Sequence, residues 1–142
     1  MSLTHAAPWY VHRLRVRYGE CDPQGVVYNA NYLAFLDIAF TEMWRGLVGS
    51  YAVLVERGLD TMLVQADLSF RRPARSDDEL LIGVEPARVG ATSLTLNAEI
   101  KRQDDLLLEA RVVYVFVDPV ELSKTEIPAD VRRQLGEPHP AG

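Results

Sequence analysis

The stretch that decides the fold runs Tyr32-Leu-Ala-Phe-Leu-Asp-Ile-Ala-Phe-Thr-Glu-Met-Trp-Arg-Gly-Leu-Val48. Tyr32, Phe35, Leu36, Ala39, Met43 and Leu47 recur at helical spacing, flanked by Leu33, Phe40, Trp44 and Val48. Asp37, Thr41, Glu42 and Arg45 form only a narrow polar stripe. A surface helix carries a wide polar face, so a helix this apolar is expected to be central and enclosed by other elements. Gly46 and Gly49 weaken its end, and Ser50 is placed to cap a short second helix that stops at Gly58.

Outward from this helix the period changes from 3.6 to 2. Upstream, Val11 to Tyr18 alternates, with His12, Leu14, Val16 and Tyr18 on one face and Val11, Arg13, Arg15 and Arg17 on the other, which predicts a half-buried first strand. Downstream, four more strands are predicted: Met62–Phe70, Leu80–Val89, Ser93–Ile100, and one that follows the Gln103-Asp104-Asp105 turn and ends near Val117. In the last of these Leu108, Ala110, Val112, Tyr114 and Phe116 share a face, while Val113, Val115 and Val117 make the other apolar too. With no further helix read in the chain, a second subunit is the expected cover for that face. Strand, long apolar helix and four strands predict an α+β fold, with a five-stranded antiparallel sheet curled around the helix. One domain is expected over residues 1–142, with its core at about 11–118 and a frayed tail from about residue 136.

Fifteen Lys and Arg stand against 20 Asp and Glu, a formal charge of -5 that repels polyanions, so no nucleic-acid partner is expected. An anionic small molecule then needs local Arg or Lys residues to hold it. Cys21 is the only cysteine, so no intrachain disulfide can form, and a cytoplasmic setting fits. The apolar runs are too short to span a bilayer, which predicts no stable membrane insertion. The sequence lacks G-x-S-x-G, G-x-x-x-x-G-K-[ST] and G-x-G-x-x-G, and His5, His12 and His139 are scattered without metal-ligand spacing.

What remains is Tyr18-Gly-Glu-Cys-Asp-Pro-Gln-Gly-Val-Val-Tyr-Asn-Ala-Asn-Tyr32. Asp22-Pro23-Gln24-Gly25 carries the preferences of a type I turn, and the turn leads straight into the apolar helix. The whole segment resembles the D-x-x-G-V-V-Y-x-x-N-Y signature of the 4-hydroxybenzoyl-CoA thioesterase branch of hot-dog proteins, which includes the Tol-Pal-associated acyl-CoA thioesterases. Asp22, Gly25, Val26, Val27, Tyr28, Asn31 and Tyr32 stand in place. Phe70 to Asp78, Thr92-Ser93-Leu94 and the closing Val-rich strand also look like the family, so the likeness spans about residues 11–118.

The resemblance implies a hot-dog fold and hydrolysis of an acyl- or aroyl-CoA. It further implies a homodimer or homotetramer sharing its sites, and no cofactor, CoA being part of the substrate. It puts Asp22 at the thioester as nucleophile or general base and the Asn29 backbone N–H on the carbonyl, with Gly25, Val26, Val27, Tyr28 and Tyr32 around the substrate. Two positions depart from the Tol-Pal-associated pattern: Asn29 stands where those proteins usually carry His, and Phe40 where they carry Arg. Asn29 can cap a helix but cannot be a general base. Among other carboxylates, Glu42 and Asp37 belong to the helix's polar stripe, a solvated or subunit-facing position, and Glu20 is expected to face solvent. Arg71, Arg72, Arg75, Arg88, Lys101 and Arg102 are available for CoA phosphates, none of them singled out by the sequence. A non-catalytic acyl-CoA-binding or assembly subunit is the competing reading. A hot-dog dehydratase is disfavoured, because the Asp with a nearby His that such enzymes use is missing.

Overall fold

A computed structural model describes Leu3 and residues 8–136; His5, His139 and the tail from Glu137 lie outside these. The elements are β1 (Tyr10–Arg15), α1 (Asn29–Val48), α2 (Tyr51–Glu56), β2 (Asp60–Phe70), β3 (Glu79–Val89), β4 (Ser93–Arg102), β5 (Asp105–Val117) and α3 (Ala129–Leu135). All neighbouring strands are antiparallel, in the order β1-β3-β4-β5-β2. The architecture is the α+β one expected, an open five-stranded sheet packed on a long helix.

The face of α1 read from periodicity is the face the sheet covers: Tyr32, Phe35, Leu36, Ala39, Phe40, Met43 and Trp44 are buried. They meet Leu80, Ile82 and Val84 of β3, Leu94, Leu96, Ala98 and Ile100 of β4, and the Leu108-to-Phe116 face of β5 in one core. Enclosure is one-sided, since Ala34, Asp37 and Ile38 on the opposite side of α1 are exposed. The second helix is as expected, with the Ser50 hydroxyl accepting the Val53 amide at 3.3 Å.

Two expectations are corrected. The first strand stops at Arg15, and Tyr18 sits in a single 3₁₀ turn, 86% exposed. Alternation continues through Tyr18, but the backbone there has left β3: the Val16 amide donates to Asp78 O and its carbonyl accepts the Asp77 amide. The core does not end near Asp118. Ile127 and, on α3, Val131 and Leu135 are buried in it, and Arg132 donates to the carbonyls of Val89 and Gly90. On β3, Pro8 and Leu3 lie against Gly83 closely enough that a Cβ there would stand 2.9 Å from Pro8 Cβ. On β5, Val117 bridges to Lys124 as the chain folds back.

The link from β2 to β3 positions the site. These strands are consecutive in sequence but stand fifth and second in the sheet, so residues 71–78 must cross three inter-strand steps, about 14 Å. Eight residues reach that far easily. The crossing brings Pro73 to Arg75 against the loop that opens α1.

Candidate active site

Asp22 opens a β-turn closed by the Gly25 amide on Asp22 O at 2.9 Å. Gln24 N–H donates to Asp22 Oδ1 at 2.8 Å, the local side-chain-to-backbone bond that favours Asp at this place. Gly25 takes φ +79°, a left-handed conformation in which an L side chain is strained, and this lets the Asp22 amide reach Val26 O at 2.9 Å. A short hairpin results, with Cys21 paired to Val27.

The hairpin is tied down on two sides. Glu20 O accepts from the Tyr28 amide (3.0 Å) and from Asn31 Nδ2 (2.8 Å). The Glu20 side chain is mostly buried rather than solvent-facing: burial opposes its ionisation, yet the Arg17 guanidinium and amide hold it below the usual carboxylate range. On the other side Val27 N–H donates to Ala74 O at 2.9 Å, Val26 bridges to Arg75, and the Ala74 amide donates to the Tyr32 hydroxyl at 3.0 Å. Burial raises the Tyr32 phenol above its ordinary value, so this hydroxyl stays neutral at physiological pH.

Helix α1 starts at Asn29, one residue earlier than a side-chain cap at that position requires. Tyr28 stands at the N-cap with no side-chain bond to the first turn. The Asn31 amide is taken by Tyr28 O, whereas the amides of Asn29 and Ala30 have no intrahelical acceptor and carry the positive end of the helix dipole.

A cavity of about 200 Å³ lies there, lined by Val26, Val27, Asn29 and Tyr32 on one wall and by Phe70, Arg71, Arg72 and Pro73 of the crossing on the other. Phe70 meets Tyr32 edge to face at 5.6 Å. Asp22 and Gly25 sit in the turn that delivers this wall, and Tyr28 is exposed beside it. Arg71 is bound by Glu109 at 2.8 Å, while Arg72 lies only within 3.9 Å of Asp105. Of the other cations considered, Arg75 and Arg102 belong to the crossing's support, Lys101 pairs with Glu99, and Arg88 lines a different cavity beside Trp9 and Leu135.

The helix carboxylates lie elsewhere. Glu42 pairs with Arg45 at 2.9 Å and acts electrostatically on Tyr10 and His12, on the β1 side. Asp37 accepts from the Tyr114 hydroxyl at 3.3 Å and lines a second cavity, of about 310 Å³, with Phe40, Thr41, Tyr51, Thr61, Leu63 and Tyr114. Phe40 stacks on Tyr114 at 3.8 Å there. Tyr51, donating to Asp60 at 2.6 Å, is pushed up to about 12 by burial and by that bond. Both cavities were out of reach of sequence reasoning, because each joins α1 to residues of β2 or beyond.

The sequence profile of the thioesterase superfamily matches residues 24–115. The chain is 34% identical over 119 residues to the acyl-CoA thioester hydrolase YbgC of Escherichia coli O157:H7, covering 83% of this chain and 89% of that one. It is 31% identical to the 4-hydroxybenzoyl-CoA thioesterase of Pseudomonas sp. strain CBS-3, over 82% and 89% of the two chains. Among solved structures, hypothetical protein TT1821 from Thermus thermophilus superposes with a TM-score of 0.84 at 27% identity, over 91% of this chain and 98% of that one. A thioesterase-superfamily structure from Jannaschia sp. CCS1 gives a TM-score of 0.88 at 22% identity, over 98% and 97%, a likeness of fold.

Proposed function

The chain belongs to the thioesterase superfamily, with its hot-dog fold, and on that premise we propose that it hydrolyses the thioester of an acyl- or aroyl-CoA at the α1 N-terminus. The observation that carries this reading is the shared cavity: the uncapped first turn of α1 and the hairpin built on Asp22 converge on one space that the β2–β3 crossing closes.

The thioester carbonyl oxygen accepts from the Asn29 N–H, whose dipole favours the charge that develops on that oxygen. Asp22 Oδ1 is occupied by the Gln24 amide, which leaves Oδ2 to act. In one route Oδ2 attacks the carbonyl carbon, the C–S bond breaks, and CoA leaves as thiolate; water then hydrolyses the mixed anhydride and restores the carboxylate. In the other Oδ2 takes a proton from water as that water attacks, and the proton passes to the departing thiolate. Either route ends in a carboxylic acid and free CoA, and neither calls for a cofactor.

Free-thiol release from acetyl-, butyryl-, octanoyl- and benzoyl-CoA tests the reading, with turnover expected on at least one. If all four bind and none is cleaved above the buffer rate, the chain is an acyl-CoA-binding or assembly subunit instead. An enoyl product formed from a 3-hydroxyacyl-CoA without thiol release identifies a dehydratase.

The same reading includes a homodimer, or two dimers making a homotetramer, with sites shared between subunits. Edge strand β2 supports it: Met62, Leu63 and Val64 are 43, 40 and 59% exposed, on a strand whose outer backbone groups no described strand pairs. Light scattering is expected to give twice or four times the chain mass of 15.9 kDa. A stable monomer at micromolar concentration overturns that assignment. Among the described residues no helix is long and apolar enough to cross a membrane.

A further inference from the structure

Two residues outside the cavity hold one of its walls. Asp78 Oδ2 accepts the Arg75 amide and the Arg102 guanidinium, each at 2.8 Å, and Arg102 Nη1 also donates to Pro73 O at 3.3 Å. The residues pinned by these three bonds are those on either side of Ala74. Ala74, fully buried, faces the site loop with both backbone groups: its carbonyl accepts the Val27 amide and its amide donates to the Tyr32 hydroxyl. The chain of bonds from Asp78 to Val27, two residues before Asn29, is unbroken.

The neighbouring backbone shows that this corner is over-determined. Asp77 has φ +72°, which an L-residue keeps only where its surroundings enforce it. The enforcing bonds run to the end of the first strand, from Asp77 N–H to Val16 O and from Val16 N–H to Asp78 O, both 2.9 Å. Asp78 and Arg102 keep side-chain exposures of only 23% and 29%, so their pair is sheltered compared with the exposed ion pairs on β1.

We infer that Asp78 and Arg102 are positioning residues for the hydrolysis: their ion pair fixes Pro73 to Arg75 against the Val26–Val27 hairpin, and so sets where the Asn29 N–H stands relative to the Asp22 carboxylate. The inference rests on the hydrolytic reading above. Neither residue lines the cavity, so their effect is expected on the step that depends on alignment of the reacting groups rather than on the fit of the acyl group.

The test uses the full chain, the best-cleaved ester of the panel and a non-hydrolysable thioether analogue of it, well below each variant's melting temperature. Asp78→Ala is expected to lower kcat at least tenfold, with KM and the analogue's Kd within twofold. Asp78→Asn still accepts the Arg75 amide but has no charge for Arg102, and is expected to fall between Asp78→Ala and the parent, as is Arg102→Gln. Should Asp78→Ala fail to fold, the other two carry the test. The inference is overturned if the folded variants keep kcat within twofold of the parent, or if kcat and analogue affinity fall together in proportion to lost folded protein. A parent that cleaves no ester sinks the hydrolytic reading and this inference with it, whereas an active parent matched by its variants sinks this inference alone.

Discussion

Asp22→Asn is expected to remove turnover while leaving the fold in place. The asparagine oxygen can still accept the Gln24 amide, and the Gly25-to-Asp22 bond is backbone to backbone, so the hairpin survives. What is lost is the charge that attacks carbon or takes the proton. Removing a general base costs roughly a hundredfold to ten-thousandfold in rate, and removing a nucleophile at least as much. The loss should appear in kcat with little change in KM. Glu42→Gln and Asp37→Asn are the controls, since Glu42 is held by Arg45 on the β1 side and Asp37 lines the other cavity. Near-parental kcat in Asp22→Asn at unchanged melting temperature, together with a dead helix variant, would move the chemistry onto α1 and leave Asp22 as a turn residue.

Trp44→Ala is expected to be the most damaging single change to stability. Trp44 is fully buried on the sheet-facing side of α1, edge-on to Phe40 at 5.8 Å and to Phe116 at 5.9 Å, so its indole joins helix to sheet. Truncating a buried Trp to Ala costs about 3–5 kcal/mol, a large part of the roughly 5–15 kcal/mol that holds a typical domain. The indole also carries a cost of its own, because Nε1 is buried with no hydrogen-bond partner among the described residues. Trp44→Phe keeps much of the ring contact and deletes that donor, so it should lose less than half as much as Trp44→Ala. Urea unfolding midpoints at one fixed protomer concentration check both, since association would shift them by mass action. A Trp44→Ala midpoint close to the parent's would mean that the helix face is not packed as described.

Much of this was legible residue by residue. Tyr32, Phe35, Leu36, Ala39 and Met43 gave away α1 and its buried face because a helix's period is set by backbone geometry alone. Alternation found β3, β4 and β5 because each buries at least one face, and it found the edge strand β2 although none of its residues is fully buried. The same signal overran at Tyr18, where side chains keep alternating although the backbone has turned to bond the Asp77–Asp78 corner. Helix α3 escaped because seven residues with two buried positions, Val131 and Leu135, hold too little pattern to read.

The sequence by itself determined the local units: the long helix, the strands, the turn on Asp22 with its left-handed Gly25, and the negative charge that disfavours nucleic acid. Each follows from interactions within a few residues or from plain counting. The tertiary structure decided what faces what. Strand order β1-β3-β4-β5-β2 obliges residues 71–78 to cross the sheet, and only that crossing sets Phe70 to Pro73 opposite Asn29, places Arg71 and Arg72 on the cavity wall, and brings Asp78 and Arg102 behind Ala74. Pairing partners far apart in sequence are chosen by the burial of the whole sheet against α1, a sum over the core that no window of sequence contains.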